Sequence, residues 1–128
     1  MSDASYPEDL LYHPEHDWAR IDGDFATCGI TWFAQDALGE VVFFEPPALG
    51  TTITKDQPYT EVESVKAVSD VIAPVSGEVV EVNAALGDAP EAINDDPYGA
   101  GWLVKVRLSD PSEREALLDA AAYAATLE

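Results

Sequence analysis

Apolar and polar residues alternate in short runs along most of this chain, and Gly, Pro or Asp closes nearly every run. Such a pattern predicts short strands joined by tight turns. Trp18 to Ile21 and Asp24 to Ile30 read as a first hairpin around Asp22-Gly23, because Asp-Gly tolerates the positive φ of a two-residue turn. Thr31 then fits as the N-cap of a short helix over residues 32–38, with Gly39 as its left-handed stop. Residues 40–45 make a β-rich run ended by Pro46-Pro47.

From Leu49 to Asn83 one short strand follows another, at residues 51–53, 59–65, 67–72 and 77–83, punctuated by Pro58, Pro74 and Gly77. Residues 48–53 and 74–79 look faintly alike, as two halves related by a pseudo-twofold would. Residues 90–93 suit a helical turn, and residues 102–108 alternate like a half-buried strand. A C-terminal helix is predicted from N-cap Asp110, with Pro111 in its first turn and Glu113 placed to reach back. Its packing face would carry Leu117, Ala120, Ala121, Ala124 and Leu127. Without long helices between the strands, the expected fold is mainly β with short helices: a small antiparallel sandwich or flattened barrel.

With 128 residues and 47% hydrophobic content, the chain has material for a single core. The expected organisation is a loosely held lead-in over residues 1–9 and one domain over residues 10–128. No run approaches the roughly 18 apolar residues of a membrane span, and the first residues lack the basic-then-apolar order of a secretory signal. A cytoplasmic protein with no membrane partner is expected. Cys28 is the only cysteine, which excludes an intrachain disulfide, and its apolar surroundings read as core rather than as a nucleophile's setting. The net charge of -19, from 25 acidic against 6 basic residues, excludes nucleic acid as a partner for want of cations. Acid spread along the whole chain serves solubility, steering toward basic docking faces, or both.

Catalytic raw material is scarce. His13 and His16 lie beside Glu15 and Asp17, a weak metal signal in a Pro-containing segment, and no metal site is expected. No phosphate-cradling Gly-rich loop and no nucleophile elbow is present. The informative stretch is Glu61 to Asp70, where Lys66 stands at the reversal between two β-capable runs. By residue type alone Lys66 reads as a solvated turn lysine near Glu61, Glu63 and Asp70, which favour its charged form over a nucleophilic amine. Val65-Lys66 has neither the Gly nor the Asn of a favoured two-residue turn.

The pentapeptide Glu63-Ser64-Val65-Lys66-Ala67 resembles the lipoylation motif of glycine cleavage H proteins, with Lys66 at the modified position. Gly50 and Gly77 stand 16 residues before and 11 after it, similar to the turn glycines of lipoyl and biotinyl modules. The likeness continues through His16-Asp17-Trp18, Ala34-Gln35-Asp36-Ala37-Leu38-Gly39-Glu40, Asn94-Asp95-Asp96-Pro97-Tyr98 and Gly101-Trp102-Leu103, and spans roughly Leu11 to Leu127. Val65 and Ala67 occupy the places where biotin carriers typically have methionine.

The resemblance implies a lipoyl/biotinyl-like barrel-sandwich hybrid of short antiparallel strands with a C-terminal helix packed on it. It implies a monomeric, non-enzymatic carrier with lipoate covalently attached to Lys66. Its partners would be lipoate-attaching enzymes, a pyridoxal-phosphate glycine decarboxylase, a tetrahydrofolate-dependent aminomethyltransferase and dihydrolipoamide dehydrogenase. The arm would shuttle an aminomethyl group from the first of the three cleavage enzymes to the second, be reoxidised by the third, and shelter when loaded in a cleft near Glu15, Asp17 and Asp70. Asp17 replaces a usual Glu, and Trp32 stands where a polar residue is common. A lipoyl relay to other enzymes would use the same Lys66, and an unmodified interaction domain would keep only the fold.

Overall fold

The computed structural model describes residues 6–127, so most of the expected lead-in, residues 1–5, lies outside the described residues. Among the described residues nine strands form two antiparallel sheets, one of six strands in the order β1-β2-β3-β9-β8-β5 and one of three in the order β4-β6-β7. The strands are β1 Leu11–His13, β2 Asp17–Asp22, β3 Phe25–Ile30, β4 Val41–Glu45, β5 Thr52–Ile53, β6 Pro58–Ser64, β7 Val68–Ile72, β8 Gly77–Val82 and β9 Val104–Leu108. The sheets stay separate rather than closing into a full barrel.

The predicted alternation is realised where the two sheets meet. Ala26, Cys28, Val104 and Val106 face inward from β3 and β9, opposite Val41, Phe44, Val62 and Val71 from the smaller sheet. A second cluster of aromatics joins Tyr12 and Trp18 to Tyr123 near the C-terminus. Tyr6 packs against it, and the Tyr12 hydroxyl donates to the Pro7 carbonyl at 2.7 Å. The alike segments 48–53 and 74–79 pair with each other, with Thr52 opposite Glu78 and Ile53 opposite Gly77.

Several expectations are corrected. The first hairpin closes on Gly23-Asp24, one residue later than predicted, because Asp22 pairs with Phe25 and places Gly23 at φ 62 in the first turn position. The C-terminal helix is not continuous. A 3-10 segment over Pro111–Ala116 is followed by extended Leu117, and the helix α3 runs only over Ala120–Thr126. Leu118 exchanges two backbone hydrogen bonds of 2.8 Å with Tyr12, which pulls the chain out of helical geometry. Asp119 then caps α3 by accepting from the Ala122 amide at 2.8 Å, and Tyr123 rather than Ala121 is the buried anchor. Glu113 does not reach back; its carboxylate accepts from the amide and hydroxyl of Ser76 at 2.7 and 2.8 Å.

The first helix, α1, runs over Trp32–Leu38 as predicted, with Thr31 Oγ1 accepting from the Ala34 amide. Gly39 stops it at φ 88 and ψ -160, outside the left-handed helical well and in a region open essentially to glycine alone. The short helix α2, Ala92–Asp95, supplies Asn94, whose amide nitrogen donates to the Gly39 carbonyl at 2.8 Å while its oxygen accepts from the Val41 amide at 2.8 Å. One side chain thereby fixes the junction of α1 and β4.

Candidate functional site

Lys66 stands exposed at the reversal between β6 and β7. The turn forms without Gly or Asn because Ser64 closes it with its side chain. Ser64 Oγ accepts from the Lys66 amide at 3.2 Å and the Ala67 amide at 3.1 Å, and the Ser64 amide donates to the Ala67 carbonyl at 2.8 Å. Such a side-chain acceptor takes the place of a backbone carbonyl in a tight turn. The Val65 amide donates to the Glu40 carbonyl at 3.1 Å, so the apex is tied to the junction that Asn94 holds. The Lys66 stem lies over Gly39, where an added Cβ would meet Lys66 Cε at 3.4 Å. Lys66 Nζ makes no ion pair among the described residues.

Beside the hairpin opens a cleft of about 330 Å³ between α1, β7 and the β1–β2 turn. Phe33, Leu38, Val62 and Val71 make its walls apolar, and Ala67 brings it to the foot of Lys66. Glu15, Asp17 and Asp70 are brought together along this cleft. Its size and lining match an organic-ligand pocket with a few convergent polar groups.

The three acids differ in setting. Glu15 and Asp70 are exposed, whereas Asp17 is 2% exposed. Burial holds the Asp17 carboxyl well above the usual carboxylate range, the charge of Glu15 adds to this, and the Ile72 amide pulls weakly the other way. Asp17 Oδ2 and the Tyr59 hydroxyl are buried without a hydrogen-bond partner among the described residues.

The turn that presents Glu15 and Asp17 is pinned by both histidines. His13 Nδ1 accepts from the Glu15 amide at 3.0 Å, so its proton sits on Nε2 and is donated to Asp56 Oδ1 at 2.7 Å. His16 holds φ 76, uncommon for a non-glycine residue, and its Nδ1 lies 2.8 Å from the Tyr123 hydroxyl, which is also 2.8 Å from Thr31 Oγ1. Its ring lies 4.5 Å from that of Phe33 on the cleft, and burial lowers its affinity for a proton. The two imidazoles therefore serve different partners, and no group of three or more potential metal ligands occurs among the described residues.

The remaining predicted residues do not line the cleft. Glu63 pairs across the hairpin with Val68, and Val65 is an exposed apolar residue next to Lys66. Gly50 sits in the turn before β5, with its amide donating to the Val79 carbonyl at 2.8 Å. Gly77 opens β8 where a Cβ would collide with the Arg107 carbonyl, so it meets a need for space rather than for positive φ. Cys28 is fully buried in the core, and burial pushes its thiol up. The Trp32 amide donates to the Tyr98 hydroxyl at 2.8 Å, but nothing in the structure explains the indole. Sequence reasoning missed Asn94 and Phe33 as site-shaping residues; Asn94 opens the run Asn94 to Tyr98, and Phe33 showed only as one apolar residue of α1.

Residues 10–128 match the family model for the glycine cleavage H-protein. The chain is 54% identical over 120 residues to the glycine cleavage system H protein of Symbiobacterium thermophilum, covering 94% of each chain. It is 53% identical over 125 residues to that of Rubrobacter xylanophilus, covering 98% of this chain and 97% of the other. A crystal structure of a glycine cleavage system H protein from Mycobacterium marinum is similar with a TM-score of 0.85 and 42% identity, over 94% of this chain and 98% of that one.

Proposed function

The chain belongs to the glycine cleavage H protein family, and from that premise we propose that it is a non-enzymatic lipoyl carrier with its arm joined to Nζ of Lys66. The observation that carries this reading is the pairing of an exposed lysine, on a turn closed by Ser64, with the acid-rimmed apolar cleft at its foot. The residues fit the group. Nζ has no ion pair among the described residues, and the cleft walls are apolar enough for a hydrocarbon stem. When attached, the lipoyl group supplies a dithiolane that accepts a transferred group and two electrons.

The chain's own residues hold and shield. Amide formation removes the Lys66 charge, so the stem loses its reason to stay hydrated. Ser64 and the Glu40 carbonyl keep the apex from fraying, which fixes where the arm begins. Phe33, Val62 and Val71 exclude water from the cleft, while Glu15, Asp17 and Asp70 offer charge-assisted hydrogen bonds to a cationic amine. In this reading the chain serves glycine decarboxylase, aminomethyltransferase and dihydrolipoamide dehydrogenase in turn, after lipoate-attaching enzymes have acted on it. A tether raises the local concentration of its cargo at each docked enzyme, so transient contacts suffice. The charge of -19 favours fast encounter with basic docking faces.

The test is reconstitution. Lipoylated protein added to the three enzymes should support glycine-dependent NAD reduction, and Lys66→Arg should abolish it. Failure of the lipoylated protein beside a working control carrier would overturn the glycine-cleavage role and leave relay of lipoyl groups as the function of the same lysine.

A further inference from the structure

A charge on Asp17 finds no compensation beyond the Ile72 amide while the cleft is empty. No Lys or Arg lines the cleft among the described residues, and Glu15 and Asp70 add charge of the same sign. The neighbouring elements offer no cation either. The β1–β2 turn presents His16, whose Nδ1 is taken up with Tyr123 and whose affinity for a proton burial lowers. From β6 comes the Tyr59 hydroxyl, from β3 the Cys28 thiol and from α3 the Tyr123 hydroxyl, all held protonated by burial. The helix α1 lines the cleft with apolar residues, and β7 adds Ser69 and Asp70. An ionised carboxylate buried without a partner costs several kcal/mol or more in order of magnitude, and taking up a proton relieves it. Asp17 lines the cleft, and its Oδ2 is buried without a hydrogen-bond partner among the described residues.

Resting on the carrier reading above, we infer that Asp17 holds a proton while the cleft is empty and releases it when the cationic amine of a loaded arm enters. The incoming ammonium provides the counter-charge that Asp17 lacks and a hydrogen-bond donor for the unpartnered Oδ2. No covalent bond changes; a proton leaves the carboxyl for solvent as a cation arrives. The direction in which burial and Glu15 shift the carboxyl agrees. Asp17 thereby becomes a specificity-determining residue. It discriminates an arm carrying an ammonium from an uncharged one, because only the former makes its ionisation favourable.

The coupling has a defined pH signature. Between the titration of Asp17 with the arm docked and its titration with the cleft empty, the docking equilibrium should strengthen by about tenfold per pH unit. At higher pH it should level off, then fall as the arm's own amine loses its proton. Asp17→Asn copies the shape of the protonated acid, so it should fold and yet lose the rising limb.

The experiment is carbon NMR of carboxyl-labelled aspartate in the lipoylated protein, before and after aminomethyl loading by glycine decarboxylase, with arm contacts to Phe33 and Val62 followed in the same samples. The expected result is an Asp17 midpoint well above the ordinary aspartate range before loading, moving down after it, with the arm in the cleft. An arm in the cleft with an unmoved Asp17 midpoint would overturn the coupling alone. A loaded arm that never contacts Phe33 or Val62 would overturn the cleft reading, and the coupling with it.

Discussion

Ser64 Oγ accepts the Lys66 amide at 3.2 Å, so the residue two places before the lysine makes the turn that displays it. The same oxygen accepts from Ala67 at 3.1 Å, and Ser64 itself is 8% exposed. The pentapeptide Glu63 to Ala67 thus carries a folding instruction of its own.

Ser64→Ala should therefore lower stability by about 0.5–1.5 kcal/mol, the net worth of the turn-closing hydrogen bonds it loses. Ser64→Thr, which keeps the hydroxyl, should lie close to the parent. Urea unfolding of the three proteins checks this. Equal midpoints for the alanine and parent proteins would show that the hydroxyl does not close the turn.

Gly39 lies under the Lys66 stem at φ 88 and ψ -160. Gly39→Ala should cost about 1–3 kcal/mol, because side-chain-bearing residues are strained in that backbone region. The added Cβ would stand 3.4 Å from Lys66 Cε, tight but open to adjustment by a flexible stem. Thermal unfolding gives the cost, and an unchanged Tm would contradict the backbone argument.

Asp17 makes stability depend on pH in a direction opposite to an ordinary paired carboxylate. Its folded-state titration is raised, so its contribution is full below the ordinary aspartate range and is lost as pH rises through the folded value. Asp17→Asn removes that loss. The variant should gain on the parent as pH climbs from about 4, the ordinary aspartate value, by at most about 1.4 kcal/mol per pH unit. Unfolding curves at acid and mildly alkaline pH decide it, and a pH-independent difference between the proteins would sink the assignment.

Much of the fold was legible because it rests on local signals. The Thr31 cap, the stop at Gly39 and the inward alternation of β3 and β9 each follow from a few neighbouring residues. The break at Leu117-Leu118 was not, since the backbone of Leu118 is claimed by Tyr12, a partner more than a hundred residues away in the chain. The one-residue slip of the first turn has a local cause: Gly23 takes the first turn position instead of the second. In the site, Lys66 and the three cleft acids were visible as residues, but the distinction among the acids was not. Asp17 and Glu15 read alike in the sequence, and only their placement makes one buried and the other exposed. Asn94, too, acts across distance, by holding Gly39 and Val41.

The central claim is that Lys66 carries the arm, and the intact mass of protein from lipoylation-competent cells tests it most directly. The account predicts a single lipoyl or octanoyl addition on the parent chain, mapped to Lys66 and absent from Lys66→Arg. Parent protein that stays unmodified in such cells, or an addition that persists in Lys66→Arg, would contradict it.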